Sequence, residues 1–177
     1  MRNVAKVLAV GIAVALSGDA VAADQSVASF TLPSGVAIRI VEAPFEGAKH
    51  RLKGCSGGPE PCLIDGRIPF GSDGTPPKSY VKSIVASYRG HRYLLDASQM
   101  YNAWGGRPLE VKGVIRYFGG QCQDSMNCSF RGLFSDAAGT FVAEWQVVGG
   151  VSQRTIITGS GDVTNEVRKN IDPPVFE

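Results

Sequence analysis

Hydrophobic and polar positions alternate in short bursts along this chain, which is the pattern of half-buried strands. Residues 36–42 (VAIRIVE) alternate and are rich in β-branched side chains, so they predict a strand. Two further bursts, 80–88 and 91–97, flank Arg89-Gly90. Glycine at the second position suits a two-residue hairpin turn. That register sets Tyr88 opposite His91, Ala86 opposite Tyr93 and Ile84 opposite Leu95. Residues 113–118 and 129–134 read as further strands. The clearest hairpin joins 141–148 to 151–158 across Gly149-Gly150. It sets Val148 opposite Val151 and Trp145 opposite Arg154. One face then carries Phe141, Ala143, Trp145, Val147 and Ile156. Arg154 shares that face, placed to stack on the indole or to pair with a carboxylate. Residues 162–170 read as a short helix, with Asp162 near its start where the helix dipole favours an acid.

The segments between these elements read differently. Residues 24–29 look like a loose lead-in. Residues 43–77 are dense in glycine and proline and predict turns. Residues 98–108 (SQMYNAWGGRP) form an aromatic loop that ends in turn residues. The expected architecture is a single mainly β domain over residues 24–177. It is an antiparallel β-sandwich or half-barrel with a short C-terminal helix.

Composition agrees. Of 177 residues, 44% are apolar and 19% charged, which excludes wholesale disorder. The 22 glycines and 10 prolines favour short strands and many turns. A net charge of +2 argues against nucleic acid as a partner.

Residues 1–23 have the build of a secretory signal peptide. Arg2 and Lys6 precede an uncharged apolar run over 7–17, too short to span a bilayer. Small residues at 20–23 place cleavage before Ala23 or Asp24. No later stretch is apolar enough to span a membrane. The leader is as short as bacterial ones, which makes the periplasm the expected location. Cys55, Cys62, Cys122 and Cys128 all follow the leader. An even number of cysteines in an exported chain predicts two disulfides. Of the three possible connectivities, Cys55–Cys62 and Cys122–Cys128 close short loops and need no particular tertiary arrangement. The C-x6-C and C-x5-C spacings do not match paired zinc ligands, and no CxxC redox motif is present.

Catalytic chemistry finds little support. His50 and His91 sit in no recognisable nucleophile–base motif. Gly159-Ser160-Gly161 lacks the nucleophile-elbow pattern. Asp96, Asp136 and Glu144 are the candidates for paired-carboxylate hydrolysis, though turns and surface solvation account for each. Asp65-Gly66 and Asp73-Gly74 are acidic turns without the further oxygen ligands of a calcium loop. No cofactor or metal is expected. The aromatic loop remains. Met100, Tyr101, Asn102, Trp104 and Arg107 are of the types that anchor protein–protein contacts, or that cap a β core.

Three strings carry a resemblance. They are Asp65-Gly66 with Phe70-Gly71-Ser72-Asp73-Gly74, the run 93–104 (YLLDASQMYNAW), and Gly132-Leu133-Phe134-Ser135-Asp136 with Gly139 and Ala143-Glu144-Trp145. Across residues 65–177 the chain resembles small periplasmic immunity proteins of interbacterial toxin systems. The resemblance implies a non-enzymatic protein that binds and blocks a toxin acting on the cell envelope. A cell-envelope hydrolase using the acidic residues and a structural envelope protein are the alternatives.

Overall fold

The structure, a computed structural model, describes residues 25–104 and 117–173. The expected leader, Arg107 and most of the strand expected at 113–118 lie outside the described residues.

Two four-stranded antiparallel sheets enclose one core. The first sheet contains β1 (Ser26–Thr31), β2 (Ala37–Pro44), β5 (Ser79–Tyr88) and β6 (His91–Leu95), in that spatial order. The second contains β7 (Phe118–Cys122), β8 (Cys128–Phe134), β9 (Phe141–Val148) and β10 (Val151–Thr158), in the order β10-β9-β8-β7. A two-residue ladder, β3 (Leu52–Lys53) with β4 (Leu63–Ile64), stands apart in the long excursion between β2 and β5. Helix α1 (Gly161–Lys169) follows β10.

Alternation places the core. Ile38 and Ile40 of β2, Ile84 and Ala86 of β5, and Tyr93 and Leu95 of β6 face inward from one side. Phe118, Phe130, Phe134, Phe141 and Trp145 meet them from the other. Trp145 stacks on Phe118 at 6.1 Å between ring centroids and meets Phe134 edge-on at 6.3 Å. Offset and edge-to-face pairs of this kind add to the stabilisation from buried area. Helix α1 lays Val167 on Leu133 and Val142, on the outer face of the second sheet.

Both hairpins have the expected register. Tyr88 pairs with His91 and Ile84 with Leu95; Val148 pairs with Val151 and Trp145 with Arg154. Arg89-Gly90 and Gly149-Gly150 have positive φ at both turn positions, which matches the right-handed twist of the flanking strands. The two disulfides are the local pairs Cys55–Cys62 and Cys122–Cys128. The second bridges directly opposed residues of β7 and β8.

Two expectations are corrected. The described part of the lead-in expected at 24–29 is not loose: Ser26–Thr31 is an edge strand that buries Ala28 and Phe30. Its alternation is carried partly by small residues, which weakens the sequence signal. Ile156 is not on the core face. The ladder slips between Arg154 and Ile156, so Ile156 opposes Glu144 and is 38% exposed. Ile157 takes the place opposite Ala143 and packs against the core.

Candidate functional site

Three segments distant in sequence meet at one end of the sandwich: 70–78, 98–104 and 135–139. The run around Met100 lies down as an extra strand piece. Phe70 N–H donates to the Gln99 carbonyl at 2.9 Å, and Tyr101 N–H donates to the Phe70 carbonyl at 2.8 Å. On its other side Val81 N–H donates to the Met100 carbonyl at 2.9 Å. Gly71 is required here. Its φ is +91°, and a Cβ would collide with the Tyr101 carbonyl.

Asn102 is the clamp. Its Oδ1 accepts from Lys78 N–H at 2.8 Å and Ser79 N–H at 3.2 Å, and its Nδ2 donates to the Gly71 carbonyl at 3.0 Å. Ser135 N–H donates to the Ala103 carbonyl at 2.6 Å, tying in the third segment. Two neighbouring clefts result. One of about 210 Å³ is lined by Asp73, Lys78, Asn102 and Asp136 among others. The other, about 340 Å³, is lined by Trp104, Tyr117, Ser135, Asp136 and Arg168 among others.

The expected contact residues separate by burial. Met100 is 1% exposed, so it is core and presents nothing to a partner. The side-chain amide of Asn102 is consumed by the clamp. Trp104 is half-buried, with its ring edge-on to Phe134 at 6.1 Å. Tyr101 is half-buried and meets Phe45 edge-on at 5.6 Å. Burial pushes the Tyr101 hydroxyl above the usual tyrosine range.

Sequence reading missed the groups that support this end. Glu42 is 4% exposed and turns inward where β2 slips register against β5. Its carboxylate accepts from the Ser79 hydroxyl at 2.5 Å. Burial raises its pKa, and bonds from Ser79 and the Ala103 backbone oppose that rise. Glu42 closes an alternating run, where an acid ordinarily points to solvent. His50 and Asp65 also form an unforeseen pair, Nδ1 to Oδ2 at 2.7 Å, with the imidazole stacked on Phe45 at 4.7 Å. The His50 hydrogen bond, then that of Arg51 N–H, holds the Asp65 carboxyl below the usual range.

Candidate acids for hydrolysis have other partners. Asp96 pairs with Arg154 at 3.3 Å, and Arg154 also donates to the Ser98 carbonyl at 2.5 Å. Of the two roles open to Arg154, the carboxylate pair is thus present. The indole instead donates its Nε1–H to the Asp96 carbonyl at 2.9 Å. Glu144 lies 2.6 Å from Arg131 Nε, though that N–H is not aimed at the oxygen, so the contact is a charge pair rather than a hydrogen bond. Asp136 is exposed and lines both clefts. Among the described residues, no cluster of three or more histidine, cysteine or acidic side chains is placed to hold a metal ion, and no helix is long and apolar enough to cross a membrane.

No protein-family profile, curated protein or solved structure matches the chain.

Proposed function

We propose that this chain is an exported binding protein that neutralises an envelope-acting toxin by direct contact, as an immunity protein does in the periplasm. The observation that carries the reading is convergence. The strings that resemble periplasmic immunity proteins lie far apart in sequence, yet Phe70-Gly71, Gln99–Trp104 and Ser135 are hydrogen-bonded into one end of the sandwich. Loops held on a rigid β scaffold are where binding residues concentrate. Two disulfides fit an oxidising compartment. Blocking by contact needs no catalytic group, only a rigid complementary surface.

The contact residues on this reading are Tyr101, Trp104 and Arg107, with Met100 and Asn102 holding the loop from inside. The test uses the oxidised chain from Asp24 to Glu177, retrieved with its partners from the periplasm of its host. The expected result is one stoichiometric partner whose toxic activity falls when the chain is added. Trp104→Ala should weaken that capture while the thermal transition stays cooperative. A chain that captures nothing from cells expressing the toxin, and leaves its activity unchanged, overturns the reading.

A further inference from the structure

Helix α1 packs on the outer face of the second sheet, whereas the first sheet shows two complete outward rows to solvent. Directly paired residues of an antiparallel sheet point to the same side. Ser29, Arg39, Val85 and Leu94 therefore form one row, and Thr31, Ala37, Ser87 and Arg92 the next. All eight are exposed or half-buried, and Leu94 is 69% exposed. Exposed Lys82 joins them where β5 slips against β2. These positions hold Arg39, Lys82 and Arg92 and no acid. None of the three cations makes an ion pair among the described residues. A groove of about 560 Å³ runs from Lys82 and Leu94 to Gln99 and Tyr101, joining this face to the loop end. The acid that lines it, Asp96, is already paired with Arg154.

We propose that this face docks an acidic protein surface, whose carboxylates meet Arg39, Lys82 and Arg92 around an aliphatic contact on Val85 and Leu94. The proposal rests on the toxin-binding reading and names the chemistry of the partner. Small side chains spread over both rows (Ser29, Thr31, Ala37, Ser87) admit close approach, and cations unpaired among the described residues favour a carboxylate-bearing partner over a neutral one. A second copy of this chain is disfavoured, because the same cations would face each other. An anionic membrane is disfavoured too, since lipid-binding patches cluster four to eight basic residues and this face has three.

The test titrates the oxidised, isotope-labelled chain with poly-L-glutamate as the probe, followed by NMR. The expected result is shift changes at Arg39, Lys82, Val85, Arg92 and Leu94 that fade as salt is raised. The triple reversal R39E/K82E/R92E should lower affinity by more than about tenfold, with its thermal transition retained. Lys169→Glu, a reversal of an exposed cation on helix α1 against the other sheet, should bind the probe as the parent does. No shifts, shifts at other cations, self-association through these rows, or uptake by phosphatidylglycerol vesicles in place of the peptide overturn the proposal. The probe contains no toxin, so failure here removes the docking face alone. Failure of the capture experiment removes the toxin-binding reading.

Discussion

Asn102 is the side chain on which the loop end depends. Asn102→Ala removes two acceptor contacts, to Lys78 N–H and Ser79 N–H, and one donor contact, to Gly71. At about 0.5–1.5 kcal/mol net for each bond, the loss is about 2–4 kcal/mol. The backbone adds to it. Asn102 has φ +42°, in the left-handed region that asparagine tolerates and alanine resists by about 1 kcal/mol. The total is about 3–5 kcal/mol, against about 5–15 kcal/mol of stability for an ordinary domain. Urea unfolding reads this directly. With a slope of about 2 kcal/mol per molar, the midpoint should fall by about 1.5–2.5 M. Asn102→Gly separates the two contributions. It loses the same bonds but accepts the left-handed backbone, so it should be less damaging than alanine by about 1 kcal/mol. An alanine variant within about 1 kcal/mol of the parent would refute the clamp. Equal losses for alanine and glycine would refute the backbone contribution.

Glu42→Gln should remove a pH dependence. The folded pKa of Glu42 is raised by burial, so the native state binds more protons than the unfolded state between the two values. Its contribution to stability is full below the unfolded pKa and is lost as pH rises through the raised folded pKa. Relative to Glu42→Gln, the parent should therefore lose stability as pH rises from the ordinary glutamate range toward neutrality; parallel urea-midpoint profiles would sink this. Replacing Cys122 and Cys128 together by serine should cost about 2–3 kcal/mol in the chain-entropy account, seen as a lower Tm with the same two-state shape. The Arg131–Glu144 pair is shielded, with side chains 13% and 16% exposed. Glu144→Gln should cost about 2 kcal/mol. A double-mutant cycle with Arg131→Met should give a coupling energy above about 0.5 kcal/mol, and strict additivity would show the pair to be inert.

The strands were legible wherever large apolar residues alternate with polar ones. Phe141 to Val148 places its aromatics by strict alternation, and two-residue turns then set both hairpin registers without ambiguity. Legibility stops where a ladder slips. At Arg154 to Ile156 an extra residue flips the face, and nothing in the local composition announces it. The same holds at Val41 to Glu42, where the slip turns an acid inward. A period-two reading assumes an unbroken ladder, so bulges are its blind spot. The candidate site was half legible. The aromatic run stood out as a string, but the division between Met100 inside and Tyr101 half-outside depends on Phe70 and Val81 binding its backbone from either side. Those partners are long-range, and spacing does not reveal them.

The loop end also concentrates unfavourable features. Six described residues other than glycine have positive φ, and four of them, Gln99, Asn102, Ser135 and Ala137, belong to the two loops that meet here. Each costs on the order of 1 kcal/mol unless a side chain offsets it. Of these four, Asn102 bonds through its side chain to Gly71, Lys78 and Ser79, and Gln99 donates its side-chain amide to the Ile68 carbonyl at 3.1 Å. Glu42 beneath the same loop carries a burial penalty as well. An end built only to close a β core would use glycine at such positions and an apolar residue in place of Glu42. Strain of this kind persists only when surrounding bonds over-determine the conformation, and here they do. Asn102, the Ser135–Ala103 bond, and the Trp145 and Arg154 bonds to the Asp96–Ser98 backbone each fix a different point of the loop. A loop pinned at that many points loses little conformational entropy when a partner arrives. On the proposed reading, that strain holds a fixed surface, which blocking a toxin by contact requires.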